Sequence, residues 1–139
     1  MGNPRRLRVR WSILGCLFGF SLFGYIQRTG IAIAAEPMMQ ELGLDQVTLG
    51  WLLTVFLAGY TVFQIPGGVL GEYWGPRRTL TWMGAASLLA TVATAITPRL
   101  ASGVAVLAIL IAARLLLGAA QGGLFPVATG AIRNWLPAR

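Results

Sequence analysis

Four long apolar runs, separated by short polar segments, constrain this chain more than any other feature. They cover residues 11–35, 47–71, 80–96 and 104–132. A helix rises about 1.5 Å per residue, so roughly 17–25 residues cross the hydrocarbon core of a bilayer. Every run reaches that minimum. In hydrocarbon, each backbone N–H and C=O must be satisfied within the protein, which favours helices for segments of this length. The expected fold is all-α: a polytopic membrane protein with four transmembrane helices. Residues 1–10 form a basic N-terminus and residues 11–139 one transmembrane domain.

The composition agrees. The chain has 139 residues, 56% hydrophobic and 11% charged, whereas a soluble domain carries about 25% charged residues. The formal charge is +7, but no basic helix face interleaved with aromatics lies outside the apolar runs. No nucleic acid partner is expected, and the bilayer is the expected surroundings. Every basic residue is an arginine, as in a GC-rich genome, and a bacterial inner membrane is the expected location. The one cysteine, Cys16, lies inside the first run and there is no histidine. These facts exclude an intrachain disulfide, a histidine-based triad and the commonest metal ligand and proton shuttle. With no acid pair inside the runs, an enzyme is not expected, nor any catalytic residue, metal or cofactor.

The basic residues set the topology. Arg5, Arg6, Arg8, Arg10, Arg77, Arg78, Arg133 and Arg139 fall on the N-terminal side of the four spans. Arg99 falls on the other side, with Glu36, Glu41 and Asp45. Positive charge collects on the cytoplasmic side, so both termini are expected there, as an even number of spans also requires. The length of the first run and the runs after it argue for a retained helix rather than a signal peptide. Pro37 is expected to end the first helix, Asp45 to cap the second, and Pro66 to kink it.

Polar residues inside the runs are the candidates for function. Arg28 and Arg114 would each be costly facing lipid, so both are expected to face a shared polar cavity between the first and fourth spans. Two guanidiniums there suit a small anion, since each can bind a carboxylate or phosphate in bidentate fashion. Gln121 lies two helical turns after Arg114, about 10 Å along the axis. Tyr60 and Gln64 are four residues apart on the second span and share a face.

Between the second and third runs lies Gly67-Gly68-Val69-Leu70-Gly71-Glu72-Tyr73-Trp74-Gly75-Pro76-Arg77-Arg78. It resembles the signature of the major facilitator superfamily: Gly-x-Leu-x-Asp-x-x-Gly, then basic residues. Gly68, Leu70, Gly75, Arg77 and Arg78 match, and Glu72 stands where the family usually has aspartate. The resemblance implies a cytoplasmic loop that takes part in the conformational cycle.

A narrower resemblance covers nearly the whole chain. Arg28-Thr29, residues 31–35, Met38-Met39 and Glu41-Leu42-Gly43-Leu44 look like the first helix and loop of the anion:cation symporter family. Gly50-Trp51, Tyr60, Gln64-Ile65-Pro66-Gly67-Gly68 and Gly75-Pro76-Arg77-Arg78 resemble its second helix and signature. Arg114-Leu115-Leu116-Leu117-Gly118, Phe125-Pro126 and Trp135-Leu136-Pro137 resemble its fourth helix and exit. The resemblance implies transport of a small organic or inorganic anion such as a sugar acid, carboxylate or phosphate. It implies anion binding by Arg28 and Arg114; with Tyr60 and Gln64, which share a face of the second span, and Gln121, on the Arg114 face, these are the expected substrate contacts.

Two departures stand out. The family often has Asp-Arg in helix one, and here it is Gln27-Arg28. It often has glutamate two turns after the arginine of helix four, and here it is Gln121. The family has twelve helices in two halves, so the chain is expected to be an N-terminal fragment, a partial first half, that needs the missing C-terminal helices for transport. A non-transporting membrane remnant or interaction protein is the second reading. A small four-helix dimeric exporter is the third, weakened because such proteins usually need an acid in the first helix.

Overall fold

The computed structural model describes residues 4–100 and 104–135. Six helices and no strand occur among the described residues: α1 (Pro4–Ile33), α2 (Ala35–Leu42), α3 (Gln46–Trp74), α4 (Pro76–Leu100), α5 (Val104–Gly122) and α6 (Leu124–Trp135). Four segments are long and apolar enough to cross a membrane: Arg10–Ile33, Gln46–Trp74, Pro76–Thr97 and Val104–Arg133. The all-α, four-span architecture read from the sequence is therefore the one observed, although several helix ends differ from expectation.

The differences trace to proline and glycine. Pro37 does not end the first helix at its own position. The break falls at Ala34, and Pro37 sits inside α2. Proline lacks an N–H and its ring crowds the carbonyl four residues back, here that of Ile33. The ladder resumes at once, with the Met38 amide donating to the Ala34 carbonyl at 3.0 Å. The fourth run splits in the same way. Pro126 cannot donate to Gly122, α5 ends there, and the Val127 amide donates to the Gly123 carbonyl at 3.1 Å. Pro66, by contrast, lies within α3, which stays helical through it. Asp45 caps α3 as expected, accepting from the Thr48 amide at 3.1 Å.

The stretch 67–78 is not a loop. α3 runs on to Trp74 and α4 begins at Pro76, so only Gly75 separates them. Gly75 has φ of 80°, a conformation that side chains disfavour. Pro76 opens α4, where a missing N–H costs nothing. Thr79, buried at the start of α4, ties the two helices together. Its one hydroxyl hydrogen is shared between the carbonyls of Leu70 and Gly75, which lie 3.2 and 3.0 Å from Oγ1.

The core lies where α3 crosses α5. A Cβ on Gly59 would stand 2.7 Å from the Leu115 carbonyl oxygen, and one on Gly118 would collide with the Phe56 carbonyl. Only glycine lets the two backbones approach this closely, and the gain is dispersion along the whole seam. Around it, Phe56, Ala90 and Leu117 join α3, α4 and α5. Ile31, Leu52, Val106 and Leu110 close the end nearer α2. α1 lies against this bundle, with Phe20 beside Gly84, and Gly24 beside Gln121 and Leu124.

Candidate functional site

Arg28 projects from α1 onto α3. Phe56 and Tyr60 are one turn apart, so their rings share a face. The rings stack with centroids 6.2 Å apart. The guanidinium carbon of Arg28 stands 5.7 Å from each ring centroid. Cation–π attraction of about 0.5–2 kcal/mol holds a guanidinium in such a place while its edge donors remain available. Beside it lies a small cavity of about 40 Å³, lined by Ser21, Gly24, Tyr25, Arg28, Tyr60, Gln121, Leu124 and Phe125.

Gln121 is buried and forms the wall of this cavity and of a second one. The second measures about 210 Å³ and is lined by Phe20, Phe23, Gly24, Gln27, Gly84, Ser87, Gln121 and Leu124. A directional hydrogen-bond chain runs along it. Gln121 Nε2 donates to Gln27 Oε1 at 3.0 Å, and Gln27 Nε2 donates to Thr91 Oγ1 at 3.1 Å. The Thr91 hydroxyl donates to the Ser87 carbonyl at 2.8 Å. Three spans, α1, α4 and α5, are thus joined by neutral groups.

Arg114 is 6% exposed, and its Nε has no hydrogen-bond partner. A buried cationic donor without a partner costs several kcal/mol, which an anion or ordered water would offset. It does not line the cavity beside Arg28. Of the five residues expected to meet substrate, the fold brings Arg28, Tyr60 and Gln121 together. Arg114 is held separately within α5, and Gln64 is exposed on α3 outside that cavity.

The signature residues divide as well. Gly68, Glu72 and Gly75 line a third cavity of about 440 Å³, with Pro76, Pro126 and Arg133 among its other walls. A Cβ on Gly68 would stand 3.1 Å from Pro126. Leu70, Arg77 and Arg78 are exposed and lie outside it.

Sequence reading missed Phe56 and Thr91. Phe56 precedes Tyr60 by one turn, which is a usable signal once Arg28 is suspected. Thr91 lies in a run rich in Ala, Thr and Leu that reads only as scaffold. Gln27 stood out as an amide in place of an acid, but not as a residue of the site.

Four apolar spans packed on a glycine seam, with an arginine and two amides between them, define a polytopic integral membrane protein with a polar pocket. The sequence model of the Major Facilitator Superfamily matches residues 12–139, and the chain belongs to that family. Similar proteins include "Probable sulfoacetate transporter SauU" of Cupriavidus necator, 35% identical over 96% of this chain and 29% of that protein. "Probable galactarate/D-glucarate transporter GudP" of Escherichia coli is 30% identical over 97% of this chain and 30% of its own length. "Probable anion transporter 7" of Oryza sativa is 32% identical over 81% of this chain and 24% of its own. The chain thus spans under a third of the length of these relatives. No solved structure matches it.

Proposed function

We propose that these four spans form one wall of the substrate pathway in a transporter of small organic anions of the anion:cation symporter type. The observation that carries the reading is Arg28, laid over Phe56 and Tyr60 at the mouth of a cavity closed by Gln121. A guanidinium fixed by its faces keeps its edge free for a carboxylate or sulfonate. Arg114, with an unpartnered buried donor, is the second cation of the pathway. The similar proteins named for sulfoacetate, galactarate and D-glucarate support an anionic substrate. Both termini are assigned to the cytoplasm by the arginine bias. The helix junction at Gly75, with Glu72, is assigned to the conformational cycle.

Coupling follows from the amides. A proton-driven symporter needs a group that titrates as access changes, and an amide does not titrate. Gln27 and Gln121 occupy the polar centre of these spans. Transport is therefore by uniport or exchange, or draws on acids outside residues 1–139. The test is uptake of D-glucarate and of sulfoacetate by the complete transporter in proteoliposomes. Saturable uptake of either, lost in Arg28→Gln and little changed by an imposed pH gradient, is expected. A Gln121→Glu variant should acquire pH dependence. Uptake that survives Arg28→Gln would overturn the site. Strong proton drive that needs no acid outside these helices would overturn the coupling.

A further inference from the structure

We propose that Gln27 is a positioning residue: by bridging Gln121 and Thr91 it fixes the rotation of α1 that lays Arg28 over Phe56 and Tyr60. The inference rests on the anion-transport reading only in taking Arg28 as the residue that meets substrate.

Apart from Ile31, packed on Leu52, Val106 and Leu110, and Phe20 against Gly84, little else holds α1 in rotation. Ile31 is its one buried side chain among the described residues. Adjacent residues on a helix point about 100° apart. Gly24 lies one turn before both Gln27 and Arg28 and faces Gln121 and Leu124. Gln27 and Arg28 therefore straddle the line of contact. Gln27 reaches α4 and α5, while Arg28 reaches α3. A turn of α1 that frees one side chain displaces the other.

The residue type fits this task. Gln27 accepts from Gln121 with its oxygen and donates to Thr91 with its nitrogen. One neutral side chain does both, and the chain ends on a helix carbonyl at Ser87. Hydrogen bonds between spans are individually modest, so two together bias the aligned rotation about tenfold. Gln121, the first member of the chain, stands with Gly24 and Leu124 in the wall shared by the cavity beside Arg28 and the larger one beside Phe20.

The test compares Gln27→Leu, Thr91→Val and Thr91→Ser in the complete transporter. Modification of Arg28 by an arginine-selective dicarbonyl is followed by peptide mass spectrometry, and KM and the maximal rate are measured for D-glucarate. Gln27→Leu, which removes both bonds, should raise KM about tenfold and Thr91→Val, which removes one, about threefold, each changing the rate of Arg28 modification measurably and leaving the maximal rate within about twofold. Thr91→Ser, which keeps the hydroxyl, should behave as the parent. The double variant Gln27→Leu, Thr91→Val should be no worse than Gln27→Leu alone. Should Gln27→Leu fail to fold, Thr91→Val carries the test alone. Unaltered Arg28 modification in Thr91→Val, or equal losses in Thr91→Ser, overturns the proposal. Altered modification with unchanged KM upholds the positioning and instead contradicts the role of Arg28 in binding anions.

Discussion

Where α3 meets α5, backbone touches backbone across Gly59 and Gly118. Where α1 meets the same bundle, contact is made by the Gln27 and Gln121 amides, by Arg28 on two rings, and by loosely packed Gly24. The first interface has one satisfactory geometry, because close-packed backbones cannot slide without collision. The second is made of side chains that can exchange partners. Both are interfaces between apolar helices, yet only the first is fixed by backbone contact. A transporter that rocks its parts needs rigid bodies as well as adjustable contacts. On the proposed transport reading, the α3–α5 seam is the rigid body, and α1, aligned by side chains rather than by backbone contact, is the part open to adjustment.

Adding a single methyl group on each side gives the largest predicted contrast. Gly118→Ala drives a Cβ into the Phe56 carbonyl and should cost about 2–3 kcal/mol. At Gly24 the nearest atom to an added Cβ is 3.8 Å away, so Gly24→Ala should stay within about 0.5 kcal/mol. Thermal unfolding in detergent reads both, and equal losses would erase the distinction between the interfaces.

Arg114 sharpens the comparison, because a cation proposed for the anion pathway sits buried inside the close-packed part. Replacing a buried, incompletely partnered cation by a residue of similar length is often neutral or stabilising by about 1 kcal/mol or more. Arg114→Met should therefore unfold no earlier than the parent while losing anion uptake. A drop in both would make Arg114 a structural cation.

Tyr60 belongs to the adjustable side. Tyr60→Leu removes one of the two rings under Arg28 and should weaken anion affinity by about 1 kcal/mol. Tyr60→Phe keeps the ring and should stay within about twofold of the parent. A large loss in Tyr60→Phe would assign the hydroxyl, rather than the ring, to the substrate.

The smallest effect lies outside both interfaces, at Asp45. The hydroxyl and amide of Thr48 hold its carboxyl below the usual aspartate range. A carboxylate with a depressed folded pKa stabilises above its unfolded pKa, and that contribution fades as pH falls through the folded value. The protection of the Thr48 amide, its exchange corrected for the intrinsic pH dependence of amide exchange, should therefore fall only under acidic conditions below the ordinary aspartate range. In Asp45→Asn, which still caps but does not titrate, that acid dependence should vanish, while the α3–α5 seam is unaffected in both.

The spans were legible because hydrocarbon demands one thing of each run, length without charge. Arg28 was legible because a cation in such a run needs a reason. Pro37 was expected to end the first helix itself, but its ring crowds the Ile33 carbonyl and the helix parts at Ala34; the break at Gly123, three residues before Pro126, was not foreseen. The glycine-rich stretch 67–78 looked like a loop, yet it needs only the one left-handed residue, Gly75, to turn the chain. The hydrogen-bond chain through Gln27 was not legible at all. It depends on how α1 is rotated against α4 and α5, and no spacing within one helix encodes a partner 64 residues away. Phe56 was hidden for a simpler reason, since an aromatic ring in an apolar run looks like core.

Equilibrium binding by the complete transporter in detergent tests the central claim most directly: that the α1 face binds an anion through Arg28. Isothermal titration with D-glucarate is compared with titration by the uncharged polyol galactitol. The account predicts saturable glucarate binding, weakened about thirtyfold or more in Arg28→Gln by loss of a charge-assisted contact, and no binding of galactitol. Glucarate affinity unchanged in Arg28→Gln, or galactitol bound as tightly as glucarate, would contradict it.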